Sequence, residues 1–253
     1  MNGFNLIAKE KYEGSIRHTH WGNVIVTKYV NKENIYIKFL DTGYETKTCA
    51  TRLRSGQIKD WLKPSVYGFG IVGSGLEPYE STTNVFKTWS NMIKRCHSKN
   101  WKRSKMTYDD CTVSANFQYY PYFKEWYFKQ IGHDQESWDL DKDILVKGNK
   151  VYSEDTCCFV PMEINTLFIS AKKLRGELPK GVTKSKNGKK YIAQVNGNAR
   201  RQYLGQYGTP DEAFYAYKAA KEKRIKEVAE DWKDQIDPKV YEALMKYEVE
   251  ITD

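Results

Sequence analysis

The sequence has no long apolar run, no Cys-x-x-Cys pair and only four histidines. No stretch approaches the ~18 apolar residues of a membrane-spanning helix, and residues 1–5 do not begin a signal-peptide pattern. We therefore expect a cytoplasmic protein rather than a membrane or secreted one. No histidine follows His133, so the commonest general base is missing from the rest of the chain.

The cysteines also exclude a disulfide framework. Their number is odd, five, and Cys157 and Cys158 are adjacent, which favours reduced thiols. Together with Cys96, His97 and Cys111 they offer enough ligands for zinc, but the spacing fits no standard zinc motif. The sequence therefore predicts buried free cysteines, with a structural zinc as the less favoured alternative.

The composition is that of a globular protein with one concentrated basic segment. Of 253 residues, 40% are hydrophobic and 29% charged, and the net charge is +9. Residues 172–227 hold 15 Lys and Arg against 5 Asp and Glu, whereas the residues from Val228 onward hold 3 against 8. This segment predicts binding to a polyanion, with nucleic acid the first candidate and an anionic membrane surface the second. A merely solvated charged face is the alternative.

The first third of the chain alternates in the manner of β-strands. β-Branched and aromatic residues recur over 22–30 and 34–40. This pattern predicts a small β-barrel or a three-stranded sheet over residues ~10–62. The glycines of residues 64–75 then predict a linker. The first predicted domain is therefore a small β-rich module with its linker, residues 1–75.

The middle third predicts helices followed by a strand, turn, strand, helix order. Apolar residues at i, i+3, i+4 and i+7 predict a helix over 84–97, and an aromatic-rich helix over 117–130 follows it. We assign those aromatic side chains to the core rather than to base stacking. The second predicted domain, residues 76–174, is completed by strands over 138–144 and 156–161 and a helix over 163–168.

The basic segment predicts three antiparallel strands and a long helix. The strands span 181–184, 190–196 and 200–207, and the hairpin signals Asn187-Gly188 and Gly197-Asn198 join them. A helix is predicted from the N-cap Thr209 to about Trp232. Its alanine-rich stripe faces the sheet, which leaves three basic residues outward, Lys218, Lys221 and Arg224. The third predicted domain is residues 175–253 with an acidic tail, and the fold class is α+β, multidomain.

Strand alternation divides the side chains of the basic segment between two faces. Ala193, Val195 and Leu204 fall on the face toward the helix. The residues on the opposite face are polar or aromatic: Gln194, Asn196, Arg201 and Tyr203.

The motifs Gly181-Val182, Tyr191 to Val195 and Arg201 to Ala213 resemble the APETALA/ethylene-response-factor DNA-binding domain over residues 178–226. In that family the sheet lies in the major groove and the helix packs behind it, so the resemblance implies double-stranded DNA as the partner. It implies base contacts from Gln194, Asn196, Arg201 and Tyr203, and phosphate contacts from Lys184, Lys186, Lys189, Lys190 and Arg200. Thr183 and Ser185 stand where plant members have arginines, so the base preference does not carry over.

Five short motifs in the middle third carry a second resemblance: Trp89 to Cys96, Leu140 to Leu145, Gly148 to Ser153, Cys157 to Pro161, and Ile164-Asn165. They resemble phage HNH-like homing endonucleases that carry the same carboxy-terminal module, and the resemblance covers residues 79–253. The nuclease core of that family is two strands and a helix that bind one divalent metal. The resemblance therefore implies a hydrolase of phage origin, acting in a bacterial host cell with Mg²⁺ or Mn²⁺.

Residue by residue, the resemblance makes Asp141 or Asp143 the metal carboxylate, Asn149 the loop asparagine that orients the site, and Asn165 the helix ligand. Lys142 stands where the family has the histidine that serves as general base. A lysine beside two aspartates is a poor base, because their negative charge raises its pKa. Three alternatives stay open: Asp143 is the base, His133 folds in, or the nuclease is inert.

Taken together, the two resemblances imply a sequence-directed DNA endonuclease that nicks or cuts duplex DNA. The alternative is a catalytically inactive DNA-binding protein, acting as a repressor or as an antagonist of a host system. For the aspartates at 139, 141 and 143, a solvated strand face is the structural alternative. The amino-terminal module leaves a protein partner open.

Overall fold

The computed structural model belongs to the mixed α+β class and contains several small sheets. In the part of the chain that it describes, no helix is both long and apolar enough to cross a bilayer. The described residues are 3–74, 80–104, 110–168, 177–196 and 200–252. The predicted Gly197-Asn198 turn and the predicted domain ends at 75 and 174 lie outside these ranges.

The chain forms two compact units, residues 1–125 and 126–253. The boundary between the units falls inside the predicted second domain, residues 76–174, and coincides with neither predicted domain end. The division into three domains stays a prediction. The elements of the first unit are α1 (Gly3–Tyr12), β1 (Ile16–Thr19), β2 (Gly22–Asn31), β3 (Asn34–Phe39), β4 (Glu45–Thr48), α2 (Ala50–Ser55), a 3₁₀ turn (Glu80–Thr82), α3 (Asn84–His97), α4 (Lys99–Ser104), β5 (Thr112–Val113), α5 (Ala115–Gln118) and most of α6 (Tyr120–Tyr127). Those of the second are β6 (Trp138–Asp141), β7 (Val151–Tyr152), β8 (Cys158–Pro161), α7 (Met162–Leu167), β9 (Val182–Lys184), β10 (Tyr191–Asn196), β11 (Arg201–Tyr207), α8 (Pro210–Trp232) and α9 (Pro238–Met245).

The amino-terminal sheet is antiparallel and has four strands in the order β1-β2-β3-β4, where we predicted a barrel or three strands. The predicted pair β2 and β3 is confirmed. In β3, Ile35, Ile37 and Phe39 alternate into the core. A bulge in β2 between Val26 and Lys28 shifts the alternation, so Tyr29 is buried in place of Lys28. Strand β1 was not predicted, because its four residues are only half-buried at best and leave no apolar alternation in the sequence.

The segment predicted as a linker is in part packed. Val66 bridges to Gly70 across a tight turn, and Ile71 bridges in parallel to Tyr119. Val72 is 5% exposed. The glycines allow the tight turn between Val66 and Gly70. The apolar residues that follow, Ile71 and Val72, pack within the first unit. The linker interpretation is therefore wrong for residues 66–72.

The helix predicted over Asn84–His97 is confirmed with both ends as predicted. The Thr83 side chain accepts a hydrogen bond from Phe86 N and caps the helix. Trp89, which has no exposed surface, donates its Nε1–H to Phe117 O at 2.8 Å. The core role assigned to the aromatic residues is therefore confirmed for Phe117, which is fully buried.

The single helix predicted over 117–130 is instead two helices, α5 and α6, separated at Tyr119, whose backbone is extended. Pro121 explains the break. Its ring has no N–H and would clash with the carbonyl of Phe117 in a continuous helix. Proline suits the first turn of a new helix, and α6 begins at Tyr120.

The second unit contains the predicted strand, turn, strand, helix order as β6, β8 and α7, which we call the two-strand-and-helix motif. β6 and β8 are antiparallel, with Trp138 opposite Pro161 and Asp141 opposite Cys158. The first strand ends at Asp141 rather than at Ile144 because the Asp141 carboxylate accepts the backbone N–H groups of Asp143 and Ile144 and so closes a turn.

The predicted three strands and long helix are also present. The sheet order is β11-β10-β9, and all its pairs are antiparallel. α8 packs Ala213, Phe214 and Tyr217 against Val182, Ala193 and Val195 of the sheet. Farther along, Ile225, Val228 and Ala229 of α8 enter a second core with α7 and α9. Helix α9 was not predicted, although its N-cap Asp237 followed by Pro238 is a helix-start signal.

We predict that Thr209→Ala lowers the stability of the carboxy-terminal sheet and helix by about 1 kcal/mol. Thr209 Oγ1 accepts from Glu212 N at 3.2 Å, and Glu212 Oε2 accepts from Thr209 N at 3.3 Å, which is a complete capping box. Amide hydrogen exchange in the first turn of α8 measures the change. Thr209→Ser is the control because it keeps the oxygen; equal exchange in both variants would contradict the capping role.

Candidate nucleic-acid interface and carboxylate site

One face of the β10-β11 hairpin carries the four residues predicted to read bases, which we call the outer face: Gln194, Asn196, Arg201 and Tyr203. Gln194 pairs with Tyr203 and Asn196 with Arg201, so the four form two neighbouring cross-strand pairs. Asn196 and Arg201 are exposed, and Tyr203 is 59% exposed. Burial of Ala193 and Val195 beneath α8 confirms the predicted division into two faces.

A β-bulge sets which residues reach the outer face. Ala193 pairs with Gly205, but Gln194 pairs with Tyr203, so Leu204 is the extra residue. Leu204 packs into the core, and Tyr203 and Arg201 consequently lie on the outer face. Gly205 has a φ of 135°, which suits glycine, and a Cβ there would lie 3.1 Å from Tyr207 Oη.

The turn between β9 and β10 is built by Ser185, which the sequence analysis took only as a departure from the family. Ser185 is 9% exposed. Its Oγ donates to Asn187 Oδ1 at 2.8 Å and accepts from Lys190 N at 3.0 Å. Asn187 Oδ1 also accepts from Lys189 N at 3.1 Å. The serine hydroxyl therefore organises a turn whose lysines are presented to solvent.

All the residues predicted to contact phosphate are exposed, namely Lys184, Lys186, Lys189, Lys190 and Arg200. From Val182 to Gly208 the sequence contains no Asp or Glu. The sheet edge and turn therefore carry positive charge without intervening acidic side chains, as a surface that meets a polyanion requires.

The carboxylate site lies where β6 ends. Asp141 Oδ1 accepts the backbone N–H of Asp143 at 2.8 Å and of Ile144 at 2.9 Å. Burial, and then repulsion from the Asp143 carboxylate, raises the pKa of Asp141 to about 6. The structure thus brings the two predicted metal carboxylates together in one turn.

Lys142 is held inside this turn. It is 7% exposed, its Nζ lies 2.9 Å from Asp143 Oδ2, and the ammonium sits 5.8 Å from the centre of the Tyr152 ring. An ion-paired ammonium has no lone pair with which to accept a proton. The structure therefore shows Lys142 as the counter-ion of Asp143 and not as a proton acceptor.

The Asn149 side chain holds the loop that follows the carboxylate site through three hydrogen bonds. Its Nδ2 donates to Lys142 O at 2.6 Å and to Val151 O at 2.7 Å, and its Oδ1 accepts from Val151 N at 3.1 Å. These bonds hold the backbone on either side of the carboxylate site, in keeping with the orienting role predicted for this asparagine.

Asn165, the predicted helix ligand, pairs with a carboxylate that we had left out of the metal set. Its Nδ2 donates to Asp139 Oδ2 at 2.9 Å. Asp139 and Asp141 are two residues apart on β6 and share a face of the strand. In the described ranges no hydrogen bond joins Asn165 to Asp141 or Asp143. The solvated-face alternative does not apply to Asp139, which this bond ties to α7.

In donor chemistry these residues suit a hard divalent cation. Carboxylate and amide oxygens are the ligands that Mg²⁺ prefers, and a cation between Asp141 and Asp143 would relieve the repulsion that raises the pKa of Asp141. Across the described ranges, no three His, Cys, Asp or Glu side chains gather as a metal site built from those types alone would require. Asn165 or water would have to complete the set.

His133 makes its contacts elsewhere in the second unit. Its Nδ1 lies 2.8 Å from Gln130 O, and its ring meets Tyr127 and Phe128 edge-on at 5.5 Å. Along the described chain it makes no hydrogen bond to Asp141 or Asp143. The alternative in which His133 supplies the missing base therefore gains no support.

The five cysteines are thiols outside disulfides, and four are buried, as predicted. Burial raises the pKa of Cys157 to about 12 and raises that of Cys158 as well. Near neutral pH both are protonated and serve as small apolar side chains.

The prediction that Lys218, Lys221 and Arg224 point outward from α8 is wrong for Lys221, which is 7% exposed. Lys218 Nζ bonds Glu222 Oε1 at 2.7 Å and Val249 O at 2.8 Å, and Arg224 Nη2 bonds Glu163 Oε1 at 2.9 Å. The reason is that α8 leaves the sheet and is covered by α7 and α9 over its second half.

No protein-family model, curated protein or solved structure matches this chain. The two resemblances therefore stay expectations, and the function has to be argued from the residues.

Proposed function

We propose that this chain is a sequence-directed DNA endonuclease, with β9, β10 and β11 as its groove-reading sheet and the two-strand-and-helix motif as its cleavage site. The observation that carries the proposal is the two-sided character of the sheet. One face is sealed by α8, and the other presents Gln194, Asn196, Arg201 and Tyr203 beside a row of exposed cations.

The chemistry of the outer face matches the requirements of a base reader. A β-ribbon fits the ~12 Å major groove. Arg201 suits bidentate contact with guanine, and Gln194 or Asn196 suits adenine. The lysines of the Ser185 turn suit backbone phosphates, which position the ribbon without reading sequence. Neutralising several phosphates makes affinity fall steeply with salt.

The cleavage site supplies oxygen ligands. Asp141, whose pKa burial and the Asp143 carboxylate raise to about 6, is ionised at neutral pH, as a metal ligand has to be. Asp143, Asn165 and Asp141 are the residues that would hold Mg²⁺ or Mn²⁺, which when bound stabilises the extra negative charge on the scissile phosphate. Lys142 fixes Asp143 in place through their ion pair.

A second candidate function, a catalytically inactive DNA-binding protein that represses or antagonises a host system, is favoured by one observation. The position of the general base holds Lys142, and that lysine is buried and ion-paired. A protein that has lost its base keeps the groove-reading sheet and still binds duplex. The two candidates therefore share their DNA interface and differ in cleavage.

The proposed interface is tested with Arg201→Ala. We expect this variant to lose ~1–3 kcal/mol of binding free energy at one base-pair position of the preferred site, because a bidentate contact to guanine is removed. Selection from a random duplex library defines that site, and fluorescence anisotropy measures the affinities.

Lys189→Ala is the matched control, since Lys189 is exposed on the same module and is assigned to phosphate. It should weaken binding equally across sequences and reduce the salt slope by about one. An equal loss on all sequences in Arg201→Ala would make Arg201 a phosphate contact, and absence of duplex binding by the unaltered chain at low salt would sink the proposed function.

A further inference from the structure

A cavity of about 540 Å³ in the second unit has no role in the proposed function. One wall is the turn after α6, residues 130–135. The other consists of Trp138, at the start of β6, with Trp232 and Gln235 at and just beyond the end of α8. Among the described residues that line it, none belongs to the outer face or is a ligand assigned to the carboxylate site. Its volume is that of a small-molecule site, which typically measures ~300–1,000 Å³.

Two tryptophans form a corner of this cavity. The ring centroids of Trp138 and Trp232 are 6.1 Å apart and their planes are 81° apart. Trp138 lies directly against the backbone of Gly132, where an added Cβ would be 2.0 Å from its ring atom Cε3. Trp232 Nε1 donates to Glu163 Oε2 at 3.1 Å. The fold therefore holds both rings in place without a ligand, and both are only half-buried.

The charge around the cavity is negative, although the protein as a whole is basic. Its described lining residues include one carboxylate, Asp134, and neither lysine nor arginine. Trp232 is the last residue of α8, and the carboxyl end of a helix carries partial negative charge. The immediate chain neighbours of the lining residues add two lysines, Lys129 and Lys233, and four acids: Glu136, Asp139, Asp231 and Asp234.

The Asp134 carboxylate has acceptor capacity left for a ligand. It is exposed, and its Oδ1 accepts the Nε2–H of Gln135 at 3.3 Å. Within the described ranges it forms no ion pair. Lys233, next to Trp232 in the chain, is instead paired with Glu230 at 3.5 Å. The negative charge of Asp134 is therefore not neutralised by a side chain in the part of the protein that the structure describes.

An organic cation suits an aromatic corner beside a carboxylate. The face of an indole attracts a cation that lies within ~6 Å of the ring centroid, and tryptophan is the best aromatic side chain for this contact. A quaternary ammonium group has no N–H that needs an acceptor, and its methyl groups pack against the rings. A phosphate-bearing ligand would instead meet repulsion from Asp134 and from the end of α8.

We propose that this cavity binds a small alkylammonium cation, held against Trp138 and Trp232 with Asp134 as its counter-ion. The ligand class is that of quaternary and methylated amines. The proposal does not rest on the proposed function, because the residues assigned to DNA and to the metal lie outside the cavity.

The test compares choline with 3,3-dimethyl-1-butanol, its uncharged isostere, on the full chain. Isothermal titration calorimetry measures both affinities, and NMR of ¹⁵N-labelled indoles locates the site. Trp138→Phe and Trp232→Phe assign the two indole signals, and Trp89, fully buried in the first unit, is the internal reference. We expect choline to bind about tenfold more tightly than the isostere and to shift the Trp138 and Trp232 signals but not that of Trp89.

Asp134→Asn tests the counter-ion and keeps the size of the side chain. It should weaken choline binding about threefold and leave binding of the isostere unchanged. Asp155→Asn is the matched control, because Asp155 is also an exposed aspartate of the second unit, and it should bind choline normally. An unchanged choline affinity in Asp134→Asn would contradict the role of Asp134.

Equal affinities for choline and the isostere would overturn the cation and leave an apolar site. Absence of binding, or binding that leaves both cavity indoles unshifted, would overturn the site. Adenosine, which offers a planar ring without charge or phosphate, is the third probe, and tighter binding of adenosine than of choline would also overturn the proposal. None of these measurements uses DNA, so a chain that fails to bind duplex would refute the proposed function alone.

Discussion

Asp141→Ala is expected to abolish metal-dependent cleavage of duplex DNA while leaving duplex affinity unchanged. The substitution removes one of the two proposed metal carboxylates. A bound metal contributes several kcal/mol of charge stabilisation, and each ~1.4 kcal/mol is a factor of ten. The cleavage rate should therefore fall by about a thousandfold or more. Incubation with the source genome and Mg²⁺ or Mn²⁺, followed by mapping of the ends, measures it.

Asp155→Ala is the matched control, because Asp155 is exposed in the loop before β8. We expect this variant to cleave DNA at the normal rate. Asn165→Ala should behave as Asp141→Ala does, because it removes the helix ligand and leaves Asp139 without its hydrogen bond. Normal cleavage by both site variants would show that the site is misplaced. Absence of cleavage by the unaltered chain, with duplex binding intact, would establish the inactive DNA-binding protein.

The same site predicts a pH profile. Because burial and Asp143 raise the pKa of metal-free Asp141 to about 6, protons compete with the metal for this carboxylate below that pH. At a metal concentration below saturation, cleavage should therefore fall as pH drops through about 6, well above the ~4 of an ordinary aspartate. A profile that stays flat down to about pH 5 would exclude Asp141 as the titrating group.

The carboxy-terminal sheet and helix could be predicted from the sequence because every signal that defines them is local. The Asn187-Gly188 turn, the alternation of β10, and Thr209 followed by Pro210 all act within a few residues. The structure confirms each of them. The bulge at Leu204 did not overturn the prediction of two faces. Arg201 and Tyr203 still lie on the outer face, and Leu204 packs into the core beneath α8.

The predictions failed where contacts between residues far apart in the sequence determine which side chains are buried or paired. If α8 packed only against the sheet, Lys221 would be exposed. It is buried because α7 and α9 cover the second half of the helix. The bond from Asn165 to Asp139 joins residues 26 apart, and no local pattern specifies which aspartate on β6 an α7 side chain meets. By contrast, Pro121 was a local signal for the break at Tyr119, and it was available in the sequence.

Replacement of Lys221 by methionine is expected to stabilise the second unit by ~2–3 kcal/mol at neutral pH. Methionine keeps the length of the side chain and suits a position between two apolar cores. It also removes a buried ammonium that faces Lys180 and Arg224.

The gain depends on pH in a definite direction. The pKa of Lys221 is about 8 in the folded chain and 10.5 in the reference state, so between these values the unfolded chain binds more protons. Stability of the unaltered protein therefore rises as pH increases through this window. The methionine variant lacks that rise, and its advantage should shrink toward zero near about pH 10.

Urea unfolding of the unaltered protein, Lys221→Met and Lys223→Met across this range measures the effect. Lys223→Met should match the unaltered protein within about 0.5 kcal/mol at every pH, as an exposed substitution does. A methionine variant that is no more stable at neutral pH would mean that the Lys221 ammonium is compensated in the folded chain. An advantage that persists unchanged near about pH 10 would mean that the gain comes from apolar packing and not from removal of the charge.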